Sequence, residues 1–379
     1  MFSVLIAPDS FKGTLSAAEV CEIIGNAFAD AIKDVKITKL PVADGGEGLC
    51  ACFENFAKGK RIKARVSGVF GEKITAEYYL LENNTAVIEM ASCAGLPLAG
   101  ENKNPEKATT FGVGELMLHA KENGARAILL GLGGSATNDC GIGMASALGW
   151  RFLDKNEKSV EPCGASLSET VKIIPPEKPF GLPVTAACDV ENPLYGKNGA
   201  AYVFAPQKGA DEAMVIRLDD GLKNVAEVIE NCTGKAVAEI SGAGAAGGMG
   251  AGALAFLDAK LKKGIDIILD ELGFDILAAD CDLVVTGEGR LDFQSADGKV
   301  ISGVAKRANK LGKKVITVCG SRGDGAERIL ECGVSQMYFA IEKEKPFADI
   351  LKTCKADLYN AAFKAAKTFT LRSRYYEIF

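Results

Sequence analysis

Apolar and polar positions follow one rhythm at the two ends of this chain and another in its middle. Residues 2–7 form a short, almost unbroken apolar run, the pattern of a strand buried on both faces. Ser16-Ala17-Ala18-Glu19 has the spacing of a capping box and predicts a helix running to about Ile32. Residues 35–43 predict a second strand, ended by Asp44-Gly45-Gly46-Glu47-Gly48 and followed by a short helix. Strand, helix, strand, helix in this order predicts a parallel sheet. The rhythm then changes. Residues 61–66, 74–80 and 86–90 predict three strands with no room for helices between them, and Glu82-Asn83-Asn84 predicts a hairpin turn. This is an antiparallel meander.

Beyond it the alternation of helix and strand resumes. Helices are expected over 110–123, 138–148 and 211–230, and strands over 127–131, 184–187 and 201–204. A Gly/Ala-rich run starts at Gly242 and enters a helix toward Lys260. Residues 283–286, 314–319 and 336–341 return to the opening rhythm of buried strands, with a final helix from about Phe347. The expected fold is α/β, with two α/β domains around a cleft. Residues 1–64 and 262–379 would form a Rossmann-like outer domain whose parallel sheet uses both chain ends. Residues 65–261 would form an inserted domain with a mixed sheet that includes the meander. The cleft is the expected place for a ligand.

Composition narrows the chemistry. The 379 residues are 48% hydrophobic and 25% charged, with a formal net charge of -5. That balance argues against a basic nucleic-acid-binding face. An anionic ligand would have to be held by local amides, a few cations and a metal ion. Twelve cysteines without a Cys-x-x-Cys pair, and a single histidine, argue against a zinc site and for free thiols in a reducing cytoplasm. The first strand lacks the basic flank of a signal peptide. The uncharged stretch 241–257 is too rich in Gly and Ala to predict a membrane span. His119 lies at the end of an amphipathic helix and reads as a packing residue, so a Ser-His-Asp or Cys-His hydrolase is not expected. Neither a P-loop string nor the protein-kinase motif set is present.

Six glycine-dense runs carry the candidate chemistry. The first two predicted strands end in Asp9-Ser10-Phe11-Lys12-Gly13 and in the Asp44 to Gly48 turn. Lys12 could neutralise a phosphate or carboxylate, and Asp44 and Glu47 could bind a metal or accept a proton. Ordinary turn chemistry is the competing explanation. Gly133, Gly134, Ser135 and Thr137 follow a clear strand and could form a nest of amides and hydroxyls for phosphate, while Asn138 could cap a helix. Asp189 and Asn192 follow another strand as a pair for magnesium or a substrate hydroxyl. Arg290 could grip a carboxylate with both arms of its guanidinium, flanked by the acidic candidates Glu288 and Asp292. Gly242, Gly244 and Gly247 match G-x-G-x-x-G as a string. That string could belong to a dinucleotide site, a phosphate cradle at a helix start, or a structural helix contact. Pro206-Gln207-Lys208-Gly209 is a further anion contact or a helix lead-in.

In their order along residues 7–300 these runs together resemble the glycerate kinase type 1 family. The resemblance implies an ATP-dependent kinase that phosphorylates D-glycerate, with Mg2+, on two α/β domains. It favours 2-phosphoglycerate over 3-phosphoglycerate. Chemistry then assigns expected roles. Asp189, Asp44 and Lys12 are catalytic candidates. Ser10, Arg290, Asn192 and Asp292 are substrate contacts. Gly133, Gly134, Ser135, Thr137, Gly242, Gly244 and Gly247 hold phosphates, and Glu47 and Glu288 hold the metal. Expected partners are D-glycerate and ATP, with no nucleic acid and no membrane, and a homodimer on general grounds. The rival readings are a nucleotide-cofactor oxidoreductase acting on a small hydroxy acid, and a non-catalytic sensor of phosphorylated metabolites.

Overall fold

The computed structural model describes residues 1–42, 49–296, 300–343 and 345–376. The strands, in chain order, are β1 (Ser3–Ile6), β2 (Lys36–Lys39), β3 (Gly59–Ser67), β4 (Lys73–Leu81), β5 (Thr85–Glu89), β6 (Ala127–Gly131) and β7 (Arg151–Leu153). They continue with β8 (Lys172–Ile174), β9 (Val184–Ala187), β10 (Lys260–Lys262), β11 (Leu283–Thr286), β12 (Arg290–Leu291), β13 (Lys314–Arg322) and β14 (Val334–Ile341). The chain divides into two compact units, Met1–Gly45 with Ile265–Phe379, and Gly46–Gly264.

Unit one is built on a parallel sheet of order β2-β1-β11-β13-β14. The short β12 pairs with the far end of β13. Both chain ends therefore supply the sheet, as the apolar runs predict. Val4, Ile6, Val285, Ile316 and Val318 pack on one face against Ile24 and Phe28 of the helix Ala17–Ala31 and Leu358 and Ala362 of the helix Phe347–Tyr376. Leu5, Val284 and Val315 point to the other face and are equally buried. The capping box forms as its spacing requires. The Ser16 hydroxyl accepts the Glu19 amide at 3.3 Å, and the Glu19 carboxylate accepts the Ser16 amide at 3.1 Å.

Unit two carries a six-stranded mixed sheet of order β10-β9-β6-β5-β4-β3. The β3-β4-β5 pairs are antiparallel, which is the expected meander, and β5-β6, β6-β9 and β9-β10 are parallel. β3 and β10, in which residues 64 and 262 lie, both belong to this sheet. Its core gathers Ile88, Ile128 and Leu130 with Leu116, Met117, Met144, Leu222 and Phe256. At the hairpin turn Asn84 has φ +64°, and the Asn83 side chain accepts the Thr85 amide at 2.9 Å.

Two expectations need correction. Residues 201–204 are not a strand but part of the helix Ala200–Phe204. Ala200 and Ala201 are buried while Tyr202 and Val203 are exposed, a helical periodicity hidden in a short apolar run. The helix expected over 138–148 is confined to Ile142–Ala147, because 138–141 form a buried turn. The hairpin β7-β8 carries no clear signal in the sequence.

Candidate active site

Unit one gathers five of the expected residues in one place. Counted in order of appearance, its sheet runs second, first, third, fourth, fifth, so the direction of winding reverses between β1 and β11. In such open sheets a ligand binds beyond the carboxyl ends of the strands at this reversal. A pocket of about 360 Å³ lies there. Ser10, Lys12, Glu288, Arg290 and Asp292 line its polar side, and Ile341, Phe347 and Ile350 form an apolar wall.

The backbone explains why these loops are held. The Ala7 amide donates to the Val285 carbonyl at 2.7 Å and the Asp9 amide to Gly287 at 2.8 Å. The buried Thr286 hydroxyl donates to the Ala7 carbonyl at 2.8 Å. Gly287 is forced: a Cβ there would lie 1.9 Å from the Val318 carbonyl oxygen on the neighbouring strand. Glu288 follows directly, largely buried, and its carboxylate accepts the Ser295 hydroxyl. Ser295 in turn accepts the Asp292 amide at 3.0 Å, so the two acidic residues are fixed through one buried serine. Asp292 also accepts the Gln294 amide at 3.0 Å. Burial pushes the Cys319 thiol, close to Glu288, up to about 12, which keeps it protonated and unreactive. Arg290 is exposed, with no ion pair or hydrogen bond to its guanidinium among the described residues. The Asp9 carboxylate accepts the Ser10 amide at 2.6 Å beside the pocket. Asp44 and Glu47 lie outside the described residues.

Unit two holds the remaining candidates around the carboxyl ends of β6 and β9. Gly133 and Gly134 are exposed just after β6, and their amides have no acceptor among the described residues. The loop is pinned on both sides: Leu96 donates to the Gly134 carbonyl at 2.8 Å, and Ala136 to Ala94 at 2.9 Å. Ser135 and Thr137 are buried. The Lys208 ammonium beneath them donates to the Ser135 hydroxyl oxygen at 2.9 Å and to the Thr137 carbonyl at 2.7 Å. Burial pushes the Lys208 ammonium down to about 7, against the pull of the nearby Asp139 carboxylate. Asp139 is fully buried and its carboxyl is pushed up by that burial. Its oxygens accept the Thr110 amide and hydroxyl and the amides of Gly141 and Gly143, so it is the staple of this turn.

Asp189 is exposed after β9, and its carboxylate accepts the Gly264 amide at 2.8 Å. The Asn192 side chain donates to the Asn198 carbonyl at 2.8 Å, and the Asn192 backbone carbonyl accepts the Gly244 amide at 3.0 Å. Gly242, Gly244 and Gly247 are buried. No strand runs directly into them, since residues 234–241 are turn and loop, and Ala246, Gly247 and Gly248 all have positive φ before the helix proper begins. A Cβ on Gly247 would lie 2.0 Å from the Thr137 carbonyl oxygen. The G-x-G-x-x-G string thus packs against the Ser135–Thr137 loop and lacks the strand that a dinucleotide fold requires. A larger concavity of about 800 Å³, lined by Lys58, Tyr79, Glu82 and Asn84, lies where β3 begins and β4 ends and carries none of the candidates.

Lys208 is the residue whose weight the sequence understates. Ala201, Ala205 and Lys208 share one buried stripe at helical spacing, and a lysine on such a stripe is the signal. Among the described residues no three His, Cys, Asp or Glu side chains are grouped to hold a metal ion. Magnesium does not require such a cage: it keeps waters and takes one or two carboxylates together with phosphate oxygens. The oriented, largely buried carboxylate of Glu288 fits that mode.

The sequence profile of the glycerate kinase family matches residues 4–370. The chain is 43% identical over 350 residues to a glycerate kinase of Halalkalibacterium halodurans, covering 90% of this chain and 92% of the relative. It is 40% identical over 377 residues to glycerate 2-kinase of Escherichia coli, covering 98% and 99%. A solved structure of a glycerate kinase 2 from Salmonella typhimurium LT2 superposes with a TM-score of 0.82 at 38% identity, covering 98% of this chain and 99% of that one. The chain belongs to the glycerate kinase family and is an enzyme of the kinase class.

Proposed function

We propose that this enzyme transfers the γ-phosphoryl group of ATP to D-glycerate with magnesium, giving 2-phosphoglycerate rather than 3-phosphoglycerate. The observation that carries the reading is the Arg290 guanidinium, without a partner among the described residues, facing a pocket shared with Ser10 and Lys12. A small hydroxy acid needs a cation for its carboxylate and polar groups for its hydroxyls, and this pocket offers both. Family membership supports the substrate, and the name of the Escherichia coli relative supports the 2-position.

Arg290, with Lys12, holds the carboxylate, while Ser10 and Asp292 orient the hydroxyls, with Asn192 a further substrate contact. The exposed amides of Gly133 and Gly134, with Ser135, cradle phosphate oxygens. Phosphoryl transfer then depends on in-line positioning and on spreading of charge. Asp189 accepts the proton of the attacking hydroxyl, with Asp44 as the second candidate. The Gly264 amide on its carboxylate keeps Asp189 oriented. Glu288, and Glu47 beside it in role, would hold magnesium, which when bound neutralises charge on the phosphoryl oxygens.

Phosphorus NMR on the enzyme with ATP, magnesium and D-glycerate tests this. The expected result is a new phosphomonoester signal growing with ADP and coupled to a single carbon-bound proton. Coupling to two protons overturns the 2-position, and unchanged ATP overturns the activity.

A further inference from the structure

We propose that Lys208 is a positioning residue that turns the Ser135 hydroxyl into a hydrogen-bond donor for a phosphate oxygen of the ligand. The proposal rests on the reading of the Gly133–Thr137 loop as the phosphate cradle and deepens it.

The argument is one of donors and acceptors. A lysine ammonium has donors and no acceptor, whereas a serine hydroxyl has one proton and two lone pairs. In its charged form Lys208 donates to the Ser135 oxygen at 2.9 Å, which turns the serine proton away from it. A second ammonium proton is committed to the Thr137 carbonyl at 2.7 Å, which fixes the ammonium beneath the loop. The Gly133 and Gly134 amides, exposed and without acceptors among the described residues, are the neighbouring donors. Together they make a set with no acceptor to fill it, which is what an anion requires.

The cost of this arrangement points the same way. Lys208 is 2% exposed, and its two bonded partners are neutral oxygens. The charged group that faces it is Asp139, whose carboxylate is already engaged by Thr110, Gly141 and Gly143. A buried ammonium without a directly paired carboxylate is destabilising unless something else uses its field. A phosphate seated on the loop just above would do so, and it would also favour the charged form of Lys208.

The test is a double-mutant cycle read by calorimetric titration with three probes: magnesium ADP, 2-phosphoglycerate and D-glycerate. Lys208→Met and Ser135→Ala are each expected to weaken a phosphate-bearing probe about tenfold or more, as for a lost charge-assisted hydrogen bond. The double variant is expected to be no worse than Lys208→Met alone, and D-glycerate binding to be unchanged. Loss confined to ADP assigns the loop to the nucleotide, and loss confined to 2-phosphoglycerate assigns it to the product phosphate; either supports the proposal. A thermal midpoint for Lys208→Met at or above that of the wild type separates this role from mere packing. Should that variant not fold, Lys208→Gln carries the same cycle. Loss in Ser135→Ala with no loss at Lys208, or losses that multiply independently, overturns the role of Lys208. No loss in any variant overturns the phosphate cradle itself.

Discussion

At Arg290 the pocket offers a cation that the rest of the described protein does not use. Because the side chain is exposed and has no partner among the described residues, its removal should leave folding intact. Arg290→Gln is therefore expected to raise the KM for D-glycerate about ten- to a hundredfold, the worth of a hydrogen bond to a charged group. The KM for ATP and the thermal midpoint should stay close to wild type. Steady-state kinetics with each substrate varied in turn decides it, and an unchanged KM for D-glycerate would remove Arg290 from the carboxylate site. The sequence brings Arg290 forward because a lone arginine among glycine and acidic residues at a strand end has few structural uses. It underrates Lys208 because burial is a property of the folded stripe rather than of its neighbours in the chain. It also groups Thr137 with the ligand contacts; the Thr137 side chain is fully buried, and its hydroxyl has no hydrogen-bond partner among the described residues.

Elements set where these residues stand. The capping box at Ser16, the meander and the longer strands of both sheets follow from local pattern alone, since each depends on residues within one turn or one strand, whereas the short β10 and β12 do not. The short helix at Ala200–Phe204 and the hairpin β7-β8 do not, because they are too short for periodicity to separate helix from strand. Glycines at strand ends are legible as turns, but not as to which neighbour demands them. Gly287 is demanded by the Val318 carbonyl, which belongs to the adjoining strand and cannot swing aside as a side chain could. Gly287→Ala is expected to push β11 and β13 apart at their ends, destabilising the protein by about 1–3 kcal/mol. The same shift should displace Glu288 and lower turnover. Urea denaturation paired with activity at a temperature where the variant remains folded measures both effects. A variant of wild-type stability would show that the strand ends tolerate the added methyl group.

Across the whole molecule the two units differ in how the chain supplies them. Unit two is one continuous segment, Gly46–Gly264, with its own sheet and its own core. Residues 46–264 expressed alone are therefore expected to unfold cooperatively in urea and to resist mild proteolysis. Rapid digestion throughout would show that this unit depends on the rest of the chain. Both architectures are readable in outline from the rhythm of apolar runs. The order of strands in each sheet is not, because pairing partners far apart in sequence leave no local mark.

That distance has a consequence for the life of the protein before it can act. The Ser3 amide is bonded to the Asp282 carboxylate 279 residues further on, and β1 pairs with β11 at the same remove. At a synthesis rate of roughly 5–20 residues per second, β1 waits about 14–56 s on the ribosome for its central partner. During that interval one of the most apolar strands of the protein has β2 as its sole available neighbour in the sheet. The nascent chain thus carries a sticky, half-built sheet behind a unit that can already close. Its yield in the cell is expected to depend on chaperones that bind short apolar segments, even though the finished enzyme keeps that strand out of their reach.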